Sequence, residues 1–209
     1  MEPTLLNIVA HSLQGLAEWR GASRGGPRTT GGLWGVQWLG EAYAAPMNQD
    51  RSSPLAGRPA PAFTLPRTTY QVFSLHDVRG RPAILVFYPG DWEPVSREQL
   101  CLYQEYLPEL QRFDAALVAI SVDSVWSHAA FGKALALSFP LLSDFHPRGH
   151  VSRAYHVYRE DEGRSGRALF VLDRDGMVRW SRSLPANLNP GVHGILSALD
   201  SLQVTRAPP

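Results

Sequence analysis

Residues 82–88 and 115–121 are continuous apolar runs, Pro-Ala-Ile-Leu-Val-Phe-Tyr and Ala-Ala-Leu-Val-Ala-Ile-Ser. They restrict the fold more than any other feature of the chain. A strand with one wet face alternates apolar and polar residues, whereas a run without alternation must be covered on both faces. Between the two runs, residues 95–113 place Leu100, Tyr103, Leu107 and Leu110 at spacings of three and four, the pattern of one amphipathic helix. Strand, helix and strand in that order predict a parallel crossover buried inside a layered α/β domain.

The pattern continues downstream. Residues 124–135 read as a helix with Ser124 as its N-cap, and residues 139–142 as a third strand. A helical turn follows at 151–155. Residues 168–172 and 177–182 flank Asp173-Arg174-Asp175-Gly176, whose Asp-Gly pair suits the positive backbone angles of a hairpin turn. Residues 189–202 form a closing helix, with Val192, Ile195, Leu196 and Leu199 on one face. The order predicts a parallel sheet with helices on both faces and a hairpin at one edge.

At 209 residues the chain fits one ordinary domain plus an appendage. Residues 55–204 are expected to form the domain, residues 1–54 an extension and residues 205–209 a tail. Within the extension, Leu5, Ile8, Val9, Leu13 and Leu16 suit a short amphipathic helix, which the glycines between 21 and 32 end. Its three arginines, Arg20, Arg24 and Arg28, are a weak nucleic-acid signal. A mobile tail, or a true start at Met47, accounts for this segment better than a secretory signal. No basic start is followed by an apolar core there, although Ala-Tyr-Ala-Ala at 42–45 resembles a cleavage site.

Twenty basic and nineteen acidic side chains give a net charge of +1, which argues against a dedicated nucleic-acid or anionic-membrane surface. No apolar run reaches the roughly 18 residues of a membrane-spanning helix. Cys101 is the only cysteine. A single thiol excludes an intramolecular disulfide framework, a CxxC pair and a multi-cysteine metal cluster. No cofactor or metal is expected, and the cytoplasm is the expected compartment.

Several sequence words, in order, carry a resemblance. They are Gly57-Arg58-Pro59-Ala60-Pro61-Ala62-Phe63, Val86-Phe87-Tyr88-Pro89-Gly90-Asp91-Trp92, Ile120-Ser121-Val122-Asp123-Ser124, Phe139-Pro140-Leu141-Leu142-Ser143-Asp144 and Arg167-Ala168-Leu169-Phe170-Val171-Leu172-Asp173. Together they resemble the peroxiredoxin family, the AhpC/TSA-type thiol peroxidases. The resemblance implies a thioredoxin-like fold, a central mixed sheet flanked by helices. It also implies an antioxidant oxidoreductase lineage in which a cysteine thiolate reduces hydroperoxides and a thiol reductant restores it. A homodimer is compatible with it.

The family motif is Pro-x-x-x-Thr/Ser-x-x-Cys with a distant arginine. The matching positions here are Pro89, Glu93, Ser96 and Arg167. Serine therefore stands where the resemblance requires the peroxidatic cysteine, and glutamate where it requires a hydroxyl. A thiolate attacking a peroxide becomes a sulfenic acid; a serine hydroxyl has no such oxidation ladder. Ser96 is left with hydrogen bonding and capping of the helix start. Glu93 would repel a thiolate and compete for Arg167, so a direct or water-bridged Glu93–Arg167 contact is expected.

Two readings follow. One is a redox protein of this lineage that has lost peroxidatic activity. The other is a non-catalytic pseudo-peroxidase that binds a partner or ligand, or serves as a scaffold. An introduced cysteine-to-serine change is a third, against which Glu93 argues. Cys101, five residues after Ser96, is an incidental helix residue, a vestigial resolving cysteine, or a weakly redox-active thiol. It shares a polar row with Glu105, Pro108 and Arg112, so partial exposure is expected.

The remaining candidates have plainer readings. His146, His150 and His156 are read as exposed loop residues rather than metal ligands, and His128 as a surface or capping residue. Asp123 is read as a helix-start carboxylate, and Glu160-Asp161-Glu162 as a solvated loop. Ser96 lacks the Gly-x-Ser-x-Gly elbow of a hydrolase nucleophile. Trp92 and Trp126 are expected to pack around the pocket.

Overall fold

A computed structural model describes residues 53–204 of the chain. The expectations about the segment ahead of Ser53, and about the last five residues, lie outside the described residues.

Strand β1 (Thr64–Pro66) pairs antiparallel with β2 (Val72–Ser74). A short 3-10 helix, Leu75–Val78, follows; the Ser74 hydroxyl accepts from an N–H of its first turn and Asp77 accepts from the Ser74 N–H. These strands are too short for periodicity to reveal, and the sequence reading omits them. The first apolar run becomes β3 (Ala83–Phe87) and the second becomes β4 (Ala116–Ser121), aligned in parallel from Ala83↔Ala116 to Phe87↔Ile120. Strand β5 (Leu141–Ser143) adds in parallel to β4. After a small hairpin of β6 (Tyr158–Arg159) and β7 (Arg164–Ser165), β8 (Arg167–Leu172) and β9 (Val178–Leu184) complete the main sheet. Its order is β5-β4-β3-β8-β9.

The hairpin does not sit wholly at the edge of a parallel sheet. Strand β8 inserts antiparallel against β3 and only β9 is at the edge, so the sheet is mixed. Gly176 alone of the predicted turn carries a positive φ, 78°. The Asp173 carboxylate accepts from the N–H groups of Asp175 and Met177 and braces the turn.

Alternation along β3 explains its unbroken apolar sequence. Ile84, Val86 and Tyr88 face a cluster with Leu100, Tyr103, Leu110, Phe131, Ile195 and Leu199. Leu85 and Phe87 face a second cluster with Phe63, Leu65, Val78 and Tyr155. Phe87, Tyr155 and Phe170 interlock there, with ring centroids 5.0–5.6 Å apart. Each fully buried side chain of this size contributes about 1.5–3 kcal/mol.

The expected single helix over 95–113 is two: α1 (Pro94–Glu105) and α2 (Leu107–Gln111). The break falls at Tyr106, two residues before Pro108, whose ring cannot continue the ladder to the carbonyl four residues back. Helix α3 (Val125–Ala134) starts as expected, with the Ser124 hydroxyl accepting from the Ser127 N–H. Helix α4 is His150–Ala154. Helix α5 (His193–Val204) begins four residues later than expected. Pro190 disfavours helix at Asn189, and the Asn189 side chain instead accepts from the Gly191 N–H.

Candidate functional site

The site forms where β3 gives way to α1. After buried Tyr88 and Pro89 the chain turns through Gly90, Asp91 and Trp92 and enters α1 with Glu93 as N-cap and Pro94 as first helical residue. Ser96 was expected to cap this helix. Glu93 does so instead: its Oε1 accepts from the Val95 N–H at 3.1 Å and its Oε2 from the Ser96 N–H at 2.7 Å. Ser96 sits at the third helical position, fully buried, and donates its hydroxyl to the same Oε2 at 2.6 Å.

Arg167 enters from the first residue of β8. Its Nη2 lies 2.8 Å from Glu93 Oε2, so the expected contact exists as a direct ion pair. The guanidinium side chain has no exposure. Its remaining donors are taken by the Ala186 carbonyl, at 3.1 Å from Nε and 2.7 Å from Nη2, and by the Gln99 amide oxygen, which Nη1 contacts. Both Nη atoms are 3.5 Å from Ser96 Oγ. Gln99 in turn donates to Tyr103, whose hydroxyl donates to the Gly191 carbonyl. Among the described residues no buried side-chain polar atom lacks a partner.

Burial pushes the Glu93 carboxyl up, but the Ser96 hydroxyl and N–H, Arg167 and the Val95 N–H outweigh it and hold it below its ordinary range. Burial lowers the Arg167 pKa, and the Glu93 carboxylate opposes that shift. The arrangement is an anion site, with a helix N-terminus, a hydroxyl and a guanidinium converging on one oxygen. The anion in it is the chain's own Glu93.

Of the sequence candidates, Glu93, Ser96 and Arg167 come together. Pro89 is buried in the loop that leads to them. Cys101 is half-buried on α1 and remains a free thiol. Five residues along a helix turn a side chain about 140° from Ser96 and raise it about 7.5 Å, so Cys101 does not share the Ser96 face. Gln99 and Tyr103 were not singled out as site residues. Their signal is spacing: they lie three and seven residues after Ser96, on its face of the helix.

A second polar cluster supports the same loop. His128 is not a surface residue: it is buried, with Nδ1 at 3.0 Å from Asp91 Oδ2 and Nε2 at 3.2 Å from the Leu142 carbonyl. A carboxylate and a carbonyl both only accept, so each ring nitrogen of His128 faces an acceptor. The Tyr88 hydroxyl donates to Asp91 Oδ1 at 2.8 Å; burial, then the Asp91 charge, raise the Tyr88 pKa well above its ordinary value. Phe131 and Leu135, three and seven residues after His128, mark its inward row. Asp123 Oδ2 accepts from the Asp91 N–H at 2.8 Å and the Ser121 hydroxyl at 2.7 Å, which makes it an anchor for the loop.

The tryptophans do not enclose the site. Trp126 is 70% and Trp92 57% exposed, and Trp92 meets Phe131 edge-on at 5.1 Å. His146, His150 and His156 are exposed, and no group of three or more potential metal-binding side chains occurs among the described residues. Glu160 and Glu162 are exposed and paired with Arg153, Arg159 and Arg164. No described helix is long and apolar enough to cross a membrane.

Comparison with known proteins gives a consistent result. The model of the AhpC/TSA family matches residues 56–181. Alkyl hydroperoxide reductase E of Mycobacterium tuberculosis is 38% identical over 126 residues, which cover 60% of this chain and 82% of that relative. A peroxiredoxin of Thermoplasma volcanium is 29% identical over 153 residues, covering 70% of this chain and 74% of the relative. The reduced 2-Cys peroxiredoxin of Plasmodium vivax superposes with a TM-score of 0.66 at 25% identity, over 72% of this chain and 82% of the other. AhpC of Enterococcus faecalis gives a TM-score of 0.67 at 23% identity, covering 74% and 99%, which bears on the fold alone.

Proposed function

The chain belongs to the AhpC/TSA family, and from that premise we propose that it is a peroxiredoxin-lineage protein that no longer carries out the peroxidatic step. Hydroperoxide reduction by a thiolate, with a thiol reductant closing the cycle, is the activity of the lineage. The observation that carries the proposal is the convergence of the Ser96 N–H, the Ser96 hydroxyl and Arg167 on Glu93 Oε2, at 2.6–2.8 Å. Donors that would hold a thiolate and a peroxide are spent on a carboxylate. The residue at the nucleophile position is an alcohol with no sulfenic acid to form. Pro89, Glu93, Ser96 and Arg167 are then a vestigial site, and the protein's work is binding or scaffolding.

Cys101 supports a second reading, weak redox chemistry at a half-buried thiol on the same helix. Peroxide consumption by the full chain and by Cys101→Ser separates the two. Neither protein consumes hydroperoxide if the site is silent. Rapid consumption by the full chain that disappears in Cys101→Ser overturns the proposal. A homodimer and a cytoplasmic location belong to the same reading. Exposed Trp92 and Trp126 support the first and a lone cysteine the second; sedimentation and cell fractionation test them.

A further inference from the structure

We infer that a second ligand site, for a small organic phosphate, lies at the end of the sheet opposite Glu93. The Glu93 site gathers around the C-terminal end of β3 and the start of β8. The register Ala83↔Leu172 puts the start of β3 beside the end of β8 at the other pole. There a cleft of about 150 Å³ opens between the chain around Arg79–Arg81 and the β8–β9 turn.

Three arginines, Arg79, Arg81 and Arg174, line this cleft together with His76. The backbone holds Arg174 against Gly80, the residue between Arg79 and Arg81. The Gly80 N–H donates to the Arg174 carbonyl at 3.0 Å, and Arg174 Nη1 donates to the Gly80 carbonyl at 2.8 Å. This reciprocal bridge ties the two loops and brings like charges to one rim. Their compensation is poor. Arg79 and Arg81 make no ion pair among the described residues, and Arg174 has only Asp114 at 3.7 Å. Of the two aspartates at the cleft, Asp173 is committed to Arg179 at 2.5 Å and to two backbone N–H groups. Asp175 at the cleft, and Asp114 beside Arg174, are the carboxylates left to oppose the three cations.

The charge is local, because the whole chain carries only +1. Arginine forks match the oxygens of a phosphate, and a dianion offsets the mutual repulsion of the rim. The inner wall is apolar, built from Leu75, Val78, Ala83 and Leu172. A headgroup on the arginines with a ring-sized hydrocarbon body against this wall uses both halves of the cleft. The cleft is too small for a nucleic acid strand. The inference is independent of any redox reading, since no residue of the Glu93 site takes part.

Calorimetric titration of the full chain with phenyl phosphate, inorganic phosphate and phenol tests it. Phenyl phosphate is expected to bind, inorganic phosphate more weakly, and phenol not at all. Arg79→Ala/Arg81→Ala, with an unchanged melting curve, is expected to lose at least about tenfold in affinity. Arg112→Ala, at a distant surface pair with Glu109, is expected to bind as the unaltered chain does. Absence of phenyl phosphate binding, or equal binding by the double variant, overturns the site. Equal affinity for inorganic phosphate overturns the organic body.

Discussion

Glu93 and Arg167 lie 74 residues apart in sequence and meet at 2.8 Å, joining the first turn of α1 to the first residue of β8. One carboxylate thus caps a helix, neutralises a fully buried guanidinium and accepts a serine hydroxyl. In an ordinary cap the side chain serves only its own helix. Here it also ties the start of β8 to the helix.

That triple duty makes Glu93 a source of pH-dependent stability. Its folded-state pKa is lowered from 4.5: burial pushes it up, and the donors from Ser96, Arg167 and Val95 outweigh this. A depressed carboxyl contributes stability that is complete above the unfolded value and is lost as pH falls through the folded one. Glu93→Gln is therefore expected to be less stable than the unaltered chain by about 1–3 kcal/mol near neutral pH. The gap should narrow only as pH drops below 4.5. Urea midpoints measured across that interval check it; a gap constant into acid contradicts the ion-pair account.

On the proposed reading, placing a thiol at position 96 should not by itself give peroxidatic chemistry. In Ser96→Cys the new sulfur replaces an oxygen 2.6 Å from a carboxylate, which disfavours the thiolate. Glu93→Thr/Ser96→Cys removes that repulsion and frees Arg167. The double variant is expected to consume hydroperoxide about 10–100-fold faster than Ser96→Cys, as one or two units of thiol pKa dictate. Stopped-flow measurement of second-order peroxide consumption decides, with Cys101→Ser in every background to remove the native thiol.

Much of the fold was legible because its central strands are covered on both faces. Residues 82–88 and 115–121 have no wet side, so their sequence has no alternation and marks them as interior. Strand direction was less legible. Nothing local in residues 168–172 distinguishes insertion beside β3 from placement at an edge, since an interior strand is apolar in either arrangement. In the candidate site, the sequence words singled out Glu93, Ser96 and Arg167, and the expected contact between Glu93 and Arg167 is present. His128 was misread because a polar residue in a helix is usually exposed. Its burial depends on Asp91, 37 residues away, and a pairing across that distance leaves no local signal.

The Asp91–His128 pair should be expensive to break. With side-chain exposures of 0% and 2%, either residue alone is a buried polar group without its partner. Asp91→Ala and His128→Ala are each expected to lose about 3–5 kcal/mol, and the double variant far less than the sum. A surface histidine would cost at most about 0.5 kcal/mol. Urea denaturation at constant m-value measures all three. Near-additive losses contradict a direct pair.

Two glycines of positive φ separate backbone strain from steric clash. Gly176, φ 78°, has open space where a Cβ would stand, so Gly176→Ala carries only the cost of an alanine in the left-handed region, about 1 kcal/mol. Gly149, φ 68°, precedes α4, and a Cβ there would lie 2.0 Å from the Tyr158 ring. That ring cannot simply swing aside: Arg153 stacks on it with its guanidinium carbon 3.8 Å from the centroid. Gly149→Ala should therefore cost about 1–3 kcal/mol more than Gly176→Ala, the range for overpacking a filled site. Gly149→Ala/Tyr158→Ala should recover most of the excess, since it removes the clashing ring and leaves only the backbone strain. Thermal and urea unfolding of the three variants measure this. An equal cost for the two single substitutions, or no recovery in the double, contradicts the clash.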